Sequence, residues 1–285
     1  MARPQPRRVR RAFDRVAAGF ARHDFLHAEI RRRMLEQLEW VRIDPACIVD
    51  AGAGPGGARD ELIRRFPESR VLSLDSSLGM LRAGAGERIC ADMQQMPLAD
   101  GCAQLLFSNL ALHWCPAIGA ALAEFHRVLD SPGLVFFSMF GPDTLKELRR
   151  ARSSAGLIDD PETLLDMHHL GDALVRAGFA DPVMSAERFP VPYADYATLE
   201  GDLRRCGATR AMMSGSSGLA ARTRRRAVEA AFAAQRGSDG MVAVSIEVVY
   251  GQAWVAPPKG RGEPAEVPLE ELGPVRTMRR RSAGA

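Results

Sequence analysis

The sequence predicts an α/β fold: a doubly wound, seven-stranded, mostly parallel sheet with a helical cap at its N-terminus and a helical insertion before its last strand. Three observations carry this. Short apolar segments alternate with helical ones from Cys47 to Phe140, joined by short connections. The apolar segments read as continuous runs, as in Leu134 to Phe140, which suits strands buried on both faces of a parallel sheet. The first strand runs directly into a glycine-rich turn, Asp50-Ala51-Gly52-Ala53-Gly54-Pro55-Gly56.

Each element follows from its own pattern. Residues 1–10 are rich in arginine and proline and are expected to be disordered. Val9, Phe13, Val16 and Phe20, then Leu26, Ile30, Met34 and Leu38, recur at helical spacing and predict two helices broken between Gly19 and Asp24. Strands are expected at Cys47–Asp50, Arg70–Asp75, Arg88–Asp92, Gln104–Ser108 and Leu134–Phe140. Between them lie a helix over Glu61–Phe66 that stops before Pro67, one capped by Ser76 that carries Met80 and Leu81, and one over Ile118–Leu129. Thr144 and Glu147 have the spacing of a capping box for the next helix. A loop over Ser153–Glu162, a helix over Leu164–Ala177 closed by Gly178, a strand over Met184–Val191, polar helical stretches over 195–238 and a strand over Ala243–Tyr250 complete the fold. The chain divides accordingly into a basic tail and cap helices (1–40), a main domain (41–256) that contains the insertion, and a flexible tail (257–285).

Composition excludes several classes of protein. At 285 residues, 46% hydrophobic and 26% charged, the chain is long enough and apolar enough to bury a substantial core. No apolar run approaches the roughly 18 residues that span a bilayer, and no signal core follows the basic N-terminus, so a cytoplasmic location is expected. Five scattered cysteines, with no C-x-x-C pair, argue against a disulfide framework or a zinc site and read as small apolar residues near strands. The net charge of +3 does not call for nucleic acid as a partner. Lys146 and Lys259 are the only lysines, so the arginine runs 31–33 and 224–226 read as solvated helix faces.

The chemistry sits at the carboxyl ends of the strands, where open parallel sheets bind ligands. Glycines let the turn after the first strand approach a cofactor closely. Asp75 ends the second strand about 20 residues further on, where a carboxylate accepts hydrogen bonds from a ribose diol. That geometry serves NAD and S-adenosylmethionine alike. The acid that opens the motif, Asp50, and the acid that ends the third strand, Asp92, favour the latter. The fourth strand runs into Ser108-Asn109-Leu110-Ala111-Leu112-His113-Trp114, a segment suited to line the transferred methyl group. His113 is either a general base or a packing residue beneath the next helix. His168 and His169, with Asp166 and Asp172, read as caps and surface groups, and no metal site is expected.

These motifs resemble the class I S-adenosylmethionine-dependent methyltransferases, whose fold is Rossmann-like. Downstream segments resemble, more narrowly, the malonyl-[acyl-carrier protein] O-methyltransferase family. They are Phe140 to Arg149, Asp166 to Leu174, Ala177 to Met184, Leu203 to Ala208 and Glu247 to Trp254. The resemblance implies methyl transfer from S-adenosylmethionine to the free carboxylate of a malonyl thioester on acyl-carrier protein, forming a methyl ester in biotin synthesis. By position it implies that Asp50, Ala51, Gly52, Ala53 and Gly54 cradle the methionine end of the cofactor. Asp75 holds the ribose, with Ser76 and Met80 in the same site; Asp92 and Met93 flank the adenine, and Asn109 and Leu110 lie near the methyl group. Phe20, His113, Trp114 and Phe140 line the substrate pocket, with Phe20 standing where the family commonly has tyrosine. Arg149 and Arg204 are the candidate contacts for the substrate carboxylate. That nucleophile is already ionised at neutral pH and needs no general base. The N-terminal helices would close over the site and residues 195–238 would form a lid, their arginines docking an acidic carrier. Two other readings stay open: methylation of a small acid, a quinone ring or a protein side chain, and a methyltransferase-fold assembly factor for a respiratory complex, echoed by Asp24-Phe25-Leu26, Glu29 and Met139-Phe140-Gly141.

Overall fold

The computed structural model describes residues 5–157, 164–208 and 219–256. The expected loop over Ser153–Glu162 falls partly, and the tail from 257 wholly, outside the described residues, as do residues 209–218 of the insertion. Three elements precede the sheet: α1 (Pro6–Val16), a 3-10 turn (Ala17–Arg22) and α2 (Phe25–Leu38). Residues 6–10, expected to be disordered, are the first turns of α1, where Pro6 occupies a position that needs no N–H donor.

The sheet is built from β1 (Cys47–Ala51), β2 (Arg70–Asp75), β3 (Glu87–Cys90), β4 (Ala103–Ser108), β5 (Leu129–Phe140), β6 (Ala180–Tyr193) and β7 (Val242–Val255), in the order β3-β2-β1-β4-β5-β7-β6. Strands β1 to β5 pair in parallel, and β7 runs antiparallel to both neighbours. From β1 the chain winds out through β2 and β3, then returns to build β4 and β5 on the other side. The crevice between the ends of β1 and β4 is therefore the switch point of the sheet.

The connecting helices are α3 (Arg59–Arg65), α4 (Leu78–Ala83), α5 (Ile118–Val128), α6 (Lys146–Ser154), α7 (Met167–Arg176), α8 (Tyr196–Arg205) and α9 (Leu219–Ala233). Alternate strand residues feed two cores. Leu105, Phe107, Leu134 and Phe136 pack with Ile30, Met34 and Leu38 of α2 and Leu62 of α3 on one face. Leu106, Val135, Phe137 and Met139 pack with Leu122 and Phe125 of α5 and Leu170 and Leu174 of α7 on the other. Both faces are covered, which is why β4 and β5 read as unbroken apolar runs. Strand β6 instead alternates half-buried and exposed residues and carries Pro182, Pro190 and Pro192, the marks of an edge strand.

Several local expectations change. The cap of α4 is Ser77, whose hydroxyl accepts from Met80 N, rather than Ser76. Thr144 and Glu147 form no capping box. Their side chains turn to β7, where Thr144 Oγ1 exchanges hydrogen bonds with the Glu247 backbone and Glu147 accepts from Ser245. The last two strands are longer than predicted because they pair with each other along their whole length. Of the five cysteines only Cys115 is buried, and Cys90 is exposed.

In the β5–β7 ladder Phe137 faces Gly251. A Cβ at Gly251 would lie 2.3 Å from Phe137 Cζ, so the ring occupies the space a side chain would need. Gly251→Ala is expected to destabilise the fold by about 1–3 kcal/mol through overpacking. Thermal melting checks this, and an unchanged Tm would contradict the packing described.

Candidate functional site

Three positive-φ glycines shape the turn after β1: Gly52 (φ 76), Gly54 (φ 55) and Gly56 (φ 80). Gly52 is also confined by its neighbours, since a Cβ there would lie 2.1 Å from Ala111 Cβ and 3.1 Å from Met93 Cε. The turn is held by the end of β2. Gly52 N and Ala53 N both donate to Leu74 O, at 2.7 and 3.0 Å. Gly54 N donates to Asp75 Oδ2 at 2.9 Å, and Ser77 N to Asp75 Oδ1 at 2.7 Å. The same corner anchors the N-terminal cap: Ser77 Oγ donates to Asp14 Oδ1 at 2.6 Å, and Gly79 N to the same oxygen at 3.0 Å.

Above the turn lies a cavity of about 270 Å³. Its floor is Asp50, Gly52, Ala53, Gly54, Asp75, Ser76, Met80, Asp92, Met93, Asn109 and Leu110, so the expected cofactor residues other than Ala51 line one space. Ala51 itself is buried in the sheet. Its roof is Arg7, Val9, Arg10 and Phe13 of α1, Phe20 of the 3-10 turn, and Asp24, His27 and Arg31 at the start and on one face of α2. The described residues of the insertion do not line it. Cys206, just past the end of α8, packs instead against the apolar cluster of Ala17, Phe20 and Met80, as do Phe13 and Val16.

The chain after β4 is bent to fit this space. Leu110 adopts φ 50, fixed by hydrogen bonds from its N–H to Ser138 O and Ser138 Oγ. Ser138 Oγ donates to Asn109 Oδ1, and Asn109 Nδ2 donates to His27 O at 3.0 Å, tying floor to roof. Trp114 lines the cavity edge-on to Phe13, at 5.5 Å between ring centroids. His113 and Phe140 lie outside the lining. His113 is sandwiched between Trp114 and Phe140, 4.8 and 4.9 Å from their rings, and burial followed by the His27 charge pulls its pKa down to about 3. It is therefore neutral, and it lies behind the cavity wall between the two rings.

The two arginines expected to meet a substrate carboxylate lie elsewhere. Arg149 donates to the carbonyls of Pro142 and Thr144, closing the loop before α6. Arg204 is exposed and pairs with Glu200 at 3.4 Å. The run 31–33, expected to be solvated throughout, is split by helix geometry. Arg32 pairs with Glu29 and Glu36 at the surface, Arg33 reaches Glu187 and the Phe189 ring, and Arg31 turns into the cavity. The spacing of Asp24, His27 and Arg31, three and four residues apart, was the signal that α2 has a polar cavity face. Asp166 serves as the cap of α7, accepting from His168 N and His169 N.

Electrostatics mark Asp50. It is 2% exposed, and its Oδ2 has no hydrogen-bond partner among the described residues. Burial pushes its pKa up to about 7, opposed by the Arg31 charge and assisted by Asp75. Asp75 is also held above the usual carboxylate range by burial, against the lowering effect of the two N–H donors. A raised carboxyl pKa contributes stability below the unfolded value that is lost as pH rises through the folded one. Asp50→Asn is therefore expected to melt higher than the parent at about pH 8, with the gap closing towards about pH 4. Tm measured across that range without ligand checks it, and a gap independent of pH would contradict it.

Residues 49–137, which hold the whole floor, match the model of a methyltransferase domain. Over 263 residues the chain is 41% identical to the malonyl-[acyl-carrier protein] O-methyltransferase of Laribacter hongkongensis, covering 87% of this chain and 88% of that one. It is 40% identical over 261 residues to the protein of that name from Methylovorus (87% and 88%), and 39% over 283 residues to that of Halorhodospira halophila (95% and 96%). Among solved structures, the YcgJ protein of Bacillus subtilis superposes with a TM-score of 0.55 at 13% identity, covering 81% of this chain and 99% of that one. The phosphoethanolamine N-methyltransferase 2 of Haemonchus contortus, in complex with S-adenosyl-L-methionine, gives 0.50 at 12%, covering 80% and 52%. At such identities the structures share the fold. The sequence identity, carried from the cap helices to the last strand, places this chain in the malonyl-[acyl-carrier protein] O-methyltransferase family.

Proposed function

We propose that the chain transfers a methyl group from S-adenosylmethionine to the free carboxylate of a malonyl thioester on acyl-carrier protein, as a cytoplasmic step of biotin synthesis. The observation that carries this reading is identity of about two residues in five, over nearly nine-tenths of both chains, to relatives named for that reaction. When bound, S-adenosylmethionine supplies an electrophilic methyl group on a sulfonium.

The residues present fit such a cofactor. Gly52 leaves no room for a side chain, so backbone alone faces the ligand. The oxygens of Asp75 each accept one N–H and retain capacity to accept from a diol. Asp92, whose Oδ1 accepts from Gln94 N, and Met93 line the same cavity and would flank the adenine. Asn109 and Leu110, held by Ser138, bound the region between floor and roof. Phe13, Phe20 and Trp114 exclude water there, which strips solvent from an attacking carboxylate and strengthens its interactions. The malonyl carboxylate is already ionised, so this chain's task is alignment and desolvation rather than proton removal.

No helix among the described residues is long and apolar enough to cross a membrane. The carrier is the macromolecular partner in this reading, with no nucleic acid. Arg7 and Arg10 are exposed at the cavity mouth, and Arg8 and Arg11 lie beside them on α1, a basic surface suited to an acidic carrier.

The test is transfer of label from methyl-labelled S-adenosylmethionine to malonyl-carrier protein, together with rescue of growth without biotin in a strain lacking this methyltransferase. Base-labile label on the carrier and rescue are expected. Turnover of a quinone or small acid with none of the malonyl thioester would overturn the reading. Asp75→Asn is expected to weaken binding of S-adenosylhomocysteine by about tenfold or more, the scale of a hydrogen bond to a charged group. Calorimetry measures this, and unchanged affinity would remove Asp75 from the site.

A further inference from the structure

We propose that His27 orients the methyl acceptor: its Nε2–H donates a hydrogen bond to one oxygen of the substrate carboxylate and leaves the other oxygen free to react. The inference rests on the malonyl-thioester reading above and names the residue of this chain that tells a free carboxylate from a neutral acyl group.

His27 lines the cavity from α2, and Phe20 meets it edge-on, at 5.2 Å between ring centroids. Its carbonyl accepts from Asn109 Nδ2, which ties its backbone to the segment that carries Leu110 and Trp114. The two ring nitrogens differ. Nδ1 is sealed from solvent and has no hydrogen-bond partner among the described residues. Nε2 has no partner among them either, but it is not sealed, so it opens on the cavity. Burial, followed by the Arg31 charge, pulls the His27 pKa down to about 4, so the ring is neutral at physiological pH and carries one N–H. Unpaired buried donors are rarer than unpaired buried acceptors, which puts that proton on Nε2 and leaves Nδ1 a bare lone pair.

The other polar groups of the roof are engaged elsewhere or screened. Asp24 pairs with Arg31 at 3.7 Å. Arg31 Nη1 lies against the glycine turn, 2.5 Å from where a Cβ of Gly57 would stand. Arg7 and Arg10 are exposed at the cavity mouth, where water and salt screen them. His27 is the donor set among the rings of Phe13, Phe20 and Trp114. A hydrogen bond to an ionised oxygen is strong in such apolar surroundings. A neutral donor also orients the carboxylate without the full ion pair that would quench its charge.

The test uses the full chain with malonyl-carrier protein and with acetyl-carrier protein, which has the same thioester without the free carboxylate. With S-adenosylhomocysteine bound, the unaltered protein is expected to hold the malonyl form more tightly than the acetyl form in calorimetry. His27→Phe keeps a ring against Phe20 and removes the donor. It is expected to weaken the malonyl complex, and to lower kcat/KM for malonyl-carrier protein, by about tenfold or more, the scale of a hydrogen bond to a charged group. The loss falls on kcat as well as KM, because alignment is lost with binding. Affinities for acetyl-carrier protein and for S-adenosylhomocysteine are expected to stay within about twofold, which also shows that the variant is folded. His27→Gln, whose amide reaches where Nε2 stands, is expected to recover most of the loss, and His27→Asn, which reaches only to Nδ1, little of it. Equal losses for both carrier forms would make His27 a packing residue and overturn the proposal. So would full activity of His27→Phe, or rescue by His27→Asn alone. Failure of the unaltered protein to methylate malonyl-carrier protein would instead overturn the reading of the reaction, and that is seen before any variant is made.

Discussion

The carboxylate of Asp75 is the joint on which the site depends. One oxygen accepts the N–H of Gly54 and fixes the glycine turn; the other accepts the N–H of Ser77 and starts α4. Ser77 in turn binds Asp14, which brings α1 down over the cavity. Floor, wall and roof thus meet within one short stretch at the end of β2. The parallel sheet makes this possible by placing the ends of β1, β2 and β4 side by side at the switch point. Burial raises the free energy of the Asp75 carboxylate, and the N–H donors bring it partly back. The balance leaves a preoriented acceptor in a shielded place.

Asp50 is the complementary case. It is buried at the centre of the sheet with one oxygen that no described residue satisfies, an arrangement that costs stability and is kept where a ligand uses it. The apolar cores on either face of the sheet offset that cost. Phe107, Phe136 and Phe137 are fully buried on β4 and β5, and the equally buried Phe125 of α5 packs in the same core as Phe137. The rigid scaffold therefore tolerates a strained residue beside it: the positive-φ Leu110, next to the Ala111 methyl that fills the space beside Gly52.

Much of this was legible in the sequence. The strands β1 to β5 were, because burial on both faces writes an unbroken apolar run. Asp50, Gly52, Gly54, Asp75, Asp92 and Asn109 were, because each ends or follows a strand on the ligand side of the sheet. What escaped depends on contacts distant in sequence. Asp14 caps α4 from more than sixty residues away. Thr144 and Glu147 have the spacing of a local cap, yet the β7 backbone offers them better partners. Ser77 took the role expected of Ser76 because the strand ends one residue before the chain can turn. Arg31 was hidden in a run of three arginines, since composition does not tell which of three successive helical residues faces inward. Arg149 and Arg204 sat in family-like segments, but a family-like segment identifies the chain without saying where a side chain points.

The roof is made almost entirely of residues that precede β1, while the floor comes from β1 to β4. The two surfaces are encoded in separate, consecutive stretches and meet through a few polar links, the small apolar cluster around Ala17, Phe20 and Met80, and the buried face of α2 in the main core. At position 52 the floor has no room for a side chain. Phe20, His27 and Trp114 face it across the open cavity. The side of the cavity that faces the glycine turn is therefore set chiefly by the first forty residues, with Trp114 the main contribution from beyond them. The two sides of one cavity are thus written in different parts of the chain, and substitutions on one side leave the backbone of the other in place.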